Sequence, residues 1–255
     1  MDAFTAWVAD LEARHLASLR FPEISRALRA LSSIYVERRS RLADSPVFAG
    51  AGKRAAFALF YGPVHYLVVR EIVNRLPRAT DDMPLLVDMG CGTGAAGAAW
   101  ASSCGRRPRV IGIDRNAWAL QEAARTYRAF GLSARTIRSH VAHRTDPGAR
   151  DSAWPRGPAA FLAAFVMNEL PDEERTETLE RLLARAATGN RVLVVEPIAT
   201  GVTPWWPSWR ARVEAAGGRA DEWRVNVDLP PIVRKLDRAA GMDHRELTAR
   251  SLYLS

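Results

Sequence analysis

The chain has 255 residues, of which 48% are hydrophobic and 25% are charged, a balance typical of a globular protein that excludes a largely disordered one. Its two cysteines, Cys91 and Cys104, exclude a disulfide framework and a site with four thiolate ligands. The formal net charge of +8 is compatible with a polyanionic partner.

The basic side chains are unevenly distributed. Residues 1–80 contain 12 basic and 7 acidic side chains, residues 101–160 contain 11 and 4, and residues 161–255 contain 13 and 14. Clustered arginines neutralise phosphates and release counterions, which favours a nucleic acid partner. However, only Lys53 and Lys235 are lysines in this alanine-rich chain, and a compositional bias toward arginine would produce the same excess. Charge alone leaves nucleic acid binding open.

Residues 1–79 are predicted to form a helical region that precedes a separate domain, residues 80–255. Apolar side chains recur in this region at helical spacing, namely Phe4, Trp7, Val8, Leu11, Leu28, Leu31, Ile34 and Tyr35. The acidic residues Asp2, Asp10 and Glu12 do not suit an export signal. We therefore expect a cytoplasmic protein that does not associate with a membrane.

A second pair of helices is predicted before the linker. The expected helices are Arg54–Tyr61 and Val64–Leu76, separated by Gly62 and Pro63, which interrupt the apolar pattern. The short polar run at 77–84 is expected to lead into the second domain.

Short apolar runs alternate with helical segments after this linker. Five runs of strand length are Leu85–Asp88, Val110–Asp114, Ala134–Ser139, Ala160–Met167 and Val192–Glu196. Such alternation predicts an α/β domain with a parallel sheet covered on both faces. Trp223–Val227 and Leu247–Leu254 are expected to add two strands around a helix at Ile232–Ala240, which makes a seven-stranded Rossmann-like sheet.

The most specific motif is a glycine-rich turn after the first strand. Residues 85–94 read Leu-Leu-Val-Asp-Met-Gly-Cys-Gly-Thr-Gly, and an alanine-rich helix is predicted at Ala95–Ser102. Alternate glycines let a ligand lie against the main chain, and the helix N-terminus offers unpaired N–H groups. Asp88, at the end of the strand, is placed to bind a cationic or hydroxyl group.

Two ligand classes compete for this turn. Gly90-x-Gly92-x-x-Ala95, with Asp114 further along the chain, fits a dinucleotide fingerprint. Asp-x-Gly-x-Gly-x-Gly instead resembles the first motif of class I S-adenosylmethionine-dependent methyltransferases. The second pattern is favoured because it also uses Asp88 and Gly94.

Asp114 ends the second strand, where its two carboxylate oxygens could accept hydrogen bonds from both ribose hydroxyls of an adenosyl group. The methyltransferase resemblance implies S-adenosylmethionine as cofactor. It also implies a cofactor-binding set, which is Asp88, Gly90, Cys91, Gly92, Gly94, Asp114, Arg115, Asn116, His140, Met167 and Asn168.

The fourth strand leads into the segment Met167-Asn168-Glu169-Leu170-Pro171, which by the same resemblance lies beside the reactive methyl group. The Asn168 carbonyl could orient a nucleophile, and Glu169 could accept its proton. In a structural alternative, Asn168 closes the loop and Asp172 caps the next helix. This segment departs from the Asn/Asp/Ser-Pro-Pro-aromatic run of amino-directed nucleic acid methyltransferases.

Four stretches together resemble a narrower group, the methyltransferase-like proteins related to the mitochondrial small ribosomal subunit assembly factor. They are residues 27–35, 61–66, 168–171 and 194–197. The resemblance implies methylation of RNA, with small-subunit ribosomal RNA as the expected partner. The cysteines of that group, which suit an iron–sulfur cluster, are missing here, and the tail from Trp205 onward matches no pattern. A small-molecule methyltransferase and a non-catalytic assembly factor that binds the cofactor are the alternatives.

Weaker signals complete the prediction. Tyr61 and His65 are interpreted as a lid over the cofactor and substrate, although such residues at helical spacing also suit packing. His140 and His143 lack partners at ligand spacing, so we expect no metal site. Trp205, Trp206 and Trp209 could stack a base or pack in the core.

Overall fold

A computed structural model describes residues 1–37, 48–141, 154–155, 157–199 and 203–255, with the backbone alone for 34–37. The predicted side-chain positions of Ile34 and Tyr35, and the prediction for His143, therefore lie outside the described residues. The N-terminal region contains α1 (Ala3–Leu16), α2 (Phe21–Glu37), α3 (Ala51–Ala56), a π-helix (Phe57–Tyr61) and α4 (Gly62–Arg75). The α/β region follows.

Seven strands and five helices make up this second region. The strands are β1 (Leu85–Met89), β2 (Arg109–Asp114), β3 (Ala134–Arg138), β4 (Ala160–Ala164), β5 (Arg191–Glu196), β6 (Arg219–Val225) and β7 (Leu247–Leu254). The helices are α5 (Ala95–Ser103), α6 (Ala117–Ala129), α7 (Asp172–Ala186), α8 (Trp206–Ala215) and α9 (Pro231–Ala240). The predicted α/β class with a seven-stranded sheet is confirmed.

The strands lie in the order β3-β2-β1-β4-β5-β7-β6. The first five are parallel, whereas β7 runs antiparallel to both of its neighbours. The connections reverse direction at β1, which lies between β2 and β4. Ligands of open α/β sheets bind beside the carboxyl ends of the strands at such a switch point. Because β7 is antiparallel, its first residues reach the same edge of the sheet.

The predicted helix break at Gly62 and Pro63 is wrong, because Ala51–Arg75 is one continuous helix. The Gly62 N–H donates to the Phe57 carbonyl, five residues earlier, and so forms a π turn. Pro63, which has no N–H to donate, comes directly after this π turn. This helix is long and apolar enough to cross a membrane. However, 72% of its most apolar stretch of 18 residues is buried inside the protein, as in a core helix.

Several strand boundaries differ from the prediction. β4 ends at Ala164 because Phe165 has a φ of 59°, outside the range of a strand, and Met167–Glu169 then form a 3₁₀ turn. β3 ends at Arg138, one residue early. β6 begins four residues before the predicted Trp223, since its first half is polar and gives no apolar run.

Apolar clusters cover both faces of the sheet. On one face α1, α2 and the long helix pack with α5, α6 and α9, around fully buried residues such as Leu28, Leu59 and Trp100. The Arg14 guanidinium joins α1 to α6 by two hydrogen bonds to Glu122, of 2.9 and 3.1 Å. The other face is covered by α7 and α8, and Trp206 and Trp209 are buried there. Both tryptophans therefore pack in the core.

Candidate active site

A cavity of about 740 Å³ lies at the carboxyl ends of β1, β2, β4 and β5. The π-helix and α4 form its wall on the side of the helical region, and Leu247 and Thr248 line it where β7 begins. Its volume falls within the range of small-molecule and cofactor sites, roughly 300–1,000 Å³. The cavity is therefore the candidate active site.

The glycine turn contributes main chain to the cavity. Gly90 has a φ of 65°, and a Cβ there would lie 2.3 Å from Cγ2 of Val166. Gly92 has a φ of 51°, but a Cβ on it would meet nothing nearer than Phe57, at 3.7 Å. Gly90 is thus required by packing, whereas Gly92 faces open space that a ligand can fill. Gly94 is the N-cap of α5 and does not line the cavity.

Asp114 lies at the tip of β2 and lines the cavity. Its Oδ2 accepts the Gly92 N–H at 3.0 Å, and its Oδ1 accepts the Asn116 N–H at 2.7 Å. Burial raises the pKa of this carboxyl, and the two backbone N–H groups oppose that rise. Each oxygen retains a lone pair, so the carboxylate can still bind two vicinal hydroxyls in an orientation fixed by the main chain.

Asp88 is more deeply buried than the sequence suggested, with 1% of its surface exposed. Its Oδ2 accepts hydrogen bonds from the Tyr127 hydroxyl at 2.8 Å and from the Gly97 N–H at 3.1 Å. Burial raises the pKa of Asp88 to about 7. Because the protein occupies Oδ2, Asp88 serves first to anchor α5 and α6 beneath the cavity. Burial also raises the pKa of the adjacent Cys91 thiol, which makes it a poor nucleophile.

The loop after β4 is held by buried side chains. Glu196, which is fully buried at the end of β5, accepts the Met167 N–H at 2.8 Å and the Asn168 side-chain amide at 2.5 Å. The Asn168 Oδ1 accepts the Trp205 indole N–H at 3.0 Å. The Arg175 guanidinium donates to the Met167 carbonyl at 2.9 Å. Asn168 therefore lines the cavity with its side chain engaged by the protein at both ends.

Glu196 was missed as a site residue by the sequence reasoning. The available signal was an acidic residue at the carboxyl end of a buried strand, the same signal that pointed to Asp88 and Asp114. The capping alternative for Asp172 is wrong, because α7 begins at Asp172 with Pro171 as its N-cap. The Asp172 carboxylate instead pairs with Arg175 at 2.5 Å.

The wall formed by the long helix is aromatic. The His65 ring stacks on Phe165 with a centroid distance of 4.0 Å and an interplanar angle of 16°. Tyr61 lies between Phe57 and His65, at 5.6 and 5.9 Å from their centroids. Burial lowers the pKa of His65 to about 3, so its ring is neutral at physiological pH. Both predicted lid residues, Tyr61 and His65, line the cavity.

The other predicted site residues are divided between the cavity and its surroundings. Cys91, Arg115, Asn116 and Glu169 line it. Asn116 also caps α6 by accepting the N–H groups of Trp118 and Ala119. Met167 and His140 do not line the cavity, and Nδ1 of His140 lies 3.6 Å from the Glu174 carboxylate. Among the described ranges, no group of three or more His, Cys, Asp or Glu side chains could hold a metal ion.

Residues 86–189 match a protein-family model described as a methyltransferase domain. The matched segment contains the glycine turn, Asp114 and the loop after β4, within the sheet order described above. The chain carries a class I S-adenosylmethionine-dependent methyltransferase domain.

Solved methyltransferase structures share this fold. The mitomycin 7-O-methyltransferase MmcR aligns with a TM-score of 0.52 and 14% identity over 98% of this chain and 72% of its own. The O-methyltransferase NcsB1 from neocarzinostatin biosynthesis, in complex with S-adenosylmethionine and 2-hydroxy-5-methyl naphthoic acid, aligns with a TM-score of 0.50 and 17% identity over 85% and 60%. At these identities the likeness establishes the fold alone. No functionally curated protein matches the chain.

The cavity of this methyltransferase domain suits S-adenosylmethionine. Gly92 leaves space against the main chain, and the Asp114 carboxylate can accept the two ribose hydroxyls. The dinucleotide alternative is not favoured, since the turn lies within the segment that matches a methyltransferase domain. The individual roles assigned to the site residues stay predictions.

Proposed function

We propose that the protein transfers a methyl group from S-adenosylmethionine to RNA, with small-subunit ribosomal RNA as the expected acceptor. The observation that carries this proposal is a group of exposed arginines beside Asp114 and the glycine turn. Arg54 and Arg115 line the cavity, and the Arg138 guanidinium donates to the Arg115 carbonyl at 3.2 Å. We refer to Arg54, Arg115 and Arg138 as the arginine rim.

The contacts of the arginine rim among the described residues include main-chain carbonyls and a ring: the Arg54 Nε–H donates to the Phe48 carbonyl at 2.9 Å, and the guanidinium lies over Trp118. Within the described ranges none of its three members forms an ion pair with a carboxylate, whereas Arg210 and Arg224 in the C-terminal part pair with Glu214 and Glu246. Unpaired arginines around a cavity can bind phosphates while one base enters the cavity. The four stretches that resemble the mitochondrial assembly proteins also support a ribosomal acceptor.

The proposal is tested with small-subunit ribosomal RNA from cells that lack the protein. Transfer of labelled methyl groups to this RNA is expected, and mass spectrometry should find one methylated nucleoside that is missing from the deletion strain. The double variant R115A/R138A should weaken RNA binding and reduce the slope of log K against log salt by about 1–2. The control R210A/R224A removes paired arginines and should leave the slope unchanged.

A small-molecule acceptor is the second candidate, because aromatic rings line much of the cavity. Phe57, Phe60, Tyr61, His65 and Phe165 could enclose a planar metabolite. Methyl transfer to a metabolite fraction, without transfer to RNA, would replace the RNA proposal with this one. If neither acceptor is methylated and Gly92→Arg retains cellular function, the assembly-factor alternative is favoured.

A further inference from the structure

The cavity extends beyond the cofactor-binding turn to a histidine that the sequence reasoning did not single out and that contacts a buried carboxylate behind it. His244 lies in the loop between α9 and β7 and lines the cavity beside Met242 and Leu247. Its Nδ1 lies 2.5 Å from Oδ1 of Asp237, which belongs to the last turns of α9. Asp237 is 2% exposed, whereas the side chain of His244 is 40% exposed.

The main chain fixes this pair in one arrangement. The second carboxylate oxygen of Asp237, Oδ2, accepts the backbone N–H of His244 at 2.7 Å. The carboxylate therefore cannot rotate without losing a hydrogen bond. An ionised carboxylate accepts but does not donate, so the neutral imidazole carries its proton on Nδ1. Nε2 is left as the only ring nitrogen with a lone pair for a bound molecule.

His244 lies on the side of the cavity away from Asp114 and the glycine turn, which we call the acceptor side. The strand order places β2 and β1, with Asp114 and the glycine turn, on one side of β4, and β5 and β7 on the other. The loop after β4, with Asn168 and Glu169, lies between the two sides. A cofactor held by Asp114 thus leaves the space beside β5, β7 and His244 for the methyl acceptor.

Two other groups at the cavity are less suited to accept a proton. His65, whose pKa is lowered to about 3, is a weak base at physiological pH. The Asn168 amide is engaged by Glu196 and Trp205. In His244, the buried Asp237 carboxylate holds Nδ1 and leaves Nε2 outside the pair, an arrangement typical of general bases.

We propose that Nε2 of His244 accepts the proton of the methyl acceptor, that Asp237 orients the ring, and that the acceptor atom is an oxygen or nitrogen bearing hydrogen. This inference rests on the proposed methyl transfer. The bound cofactor supplies an electrophilic methyl group, whose C–S bonding electrons remain on sulfur. The acceptor atom forms the new bond to carbon, and its O–H or N–H proton moves to Nε2. The resulting imidazolium is paired with the Asp237 carboxylate.

The first test is spectroscopic and requires no acceptor. Nitrogen-15 NMR of the full chain should show His244 protonated on Nδ1 in its neutral form. In D237N, the amide oxygen can keep the hydrogen bond to the His244 N–H, so the NH₂ group faces Nδ1 and donates to it. The ring should then carry its proton on Nε2. A neutral His244 already protonated on Nε2 in the wild type would overturn the proposal.

The second test measures labelled methyl transfer to two acceptor pools from cells that lack the protein. One arm uses small-subunit ribosomal RNA and the other uses the small-molecule fraction, so the arm that is labelled identifies the source of the acceptor. In that arm, H244Q and D237N should lower kcat by about 10²–10⁴-fold. Calorimetry should find S-adenosylmethionine affinity within about 3-fold of wild type in both variants, because the pair lies on the acceptor side.

A matched control is provided by D243N, which removes the neighbouring carboxylate. Asp243 does not line the cavity, and its φ of 46° is one that asparagine adopts readily. Its activity should equal that of the wild type. If H244Q is as active as D243N, the proton-acceptor role is wrong while the proposed function stands. If the wild type labels neither pool, the proposed methyl transfer fails, and the role of His244 fails with it.

Discussion

The cofactor side and the acceptor side of the cavity are built in different ways. The cofactor side consists of one glycine turn and one strand end, whose main-chain N–H groups fix Asp114. The acceptor side combines side chains from the long N-terminal helix, the end of β5 and the loop before β7. Residues 86–189, which match the methyltransferase family, include all of the first and little of the second. The family match therefore covers the cofactor side, whereas the acceptor side is built from residues outside the matched segment.

The largest effect is expected from filling the cofactor side. Gly92→Arg places a long side chain in the space beside Phe57, and S-adenosylmethionine affinity should fall by at least about 100-fold in calorimetry. The control is Gly189→Arg, because Gly189 also has a positive φ, of 80°, with open space around it but lies outside the cavity. The control should bind the cofactor normally. Equal affinity in both variants would mean that the ligand does not lie against Gly92.

A smaller effect is expected where the two sides meet, at Glu196. Glu196→Gln replaces one acceptor oxygen by an NH₂ group, so either the Met167 N–H or the Asn168 amide loses its partner. The free energy of unfolding in urea should fall by about 2 kcal/mol. Glu173→Gln, at an exposed position in α7, should change it by less than about 0.5 kcal/mol. An unchanged Glu196→Gln variant would show that the loop after β4 is held mainly by Arg175.

The smallest effect is a pH dependence of stability on the cofactor side. The pKa of Asp88 is raised to about 7 in the folded protein, so the folded state keeps a proton that the unfolded chain has released. The Asp88 contribution to stability is therefore lost as pH rises through 7, by about 1 kcal/mol between pH 6 and pH 8. Asp88→Asn should lack this part of the pH dependence when urea unfolding is measured without ligand. If the free energy of unfolding changed with pH in the same way in both proteins, burial would not raise the pKa of Asp88.

The sequence located the glycine turn and Asp114, which line the cavity, because the pattern that marks them is local. A buried strand, three alternate glycines and an acidic strand end are all read within about thirty residues of chain. The acceptor side could not be predicted in this way. Glu196 reaches the cavity because β5 lies beside β4, and His244 because the antiparallel β7 lies beside β5, pairings between distant residues that no local pattern specifies. The contact between Asp237 and His244 is local, but only this tertiary arrangement brings His244 to the cavity.

One error has a physical cause that a propensity argument omits. Gly62 and Pro63 were expected to end a helix, but burial of the surrounding apolar residues and the wider π turn outweigh their local preference. The ligand-binding role predicted for Asp88 stays a prediction: the residue lines the cavity, and Tyr127 and Gly97 also use one of its oxygens. Neither the burial of the helix nor the contacts of Asp88 can be read from the local sequence.

The π turn at Phe57–Tyr61 also bears on how such an acceptor site can change. A π turn accommodates one residue more than the α-helical turn it replaces, so the residues after it keep the faces that they would have in an uninterrupted α-helix. Deleting a single residue within the turn would therefore restore regular α-helix and leave His65 on the cavity wall. Deleting a residue from the regular turns that follow would instead rotate everything beyond it by about 100°. The π turn is thus the one part of this wall where the chain can lose a residue without re-aiming the aromatic side chains that follow it.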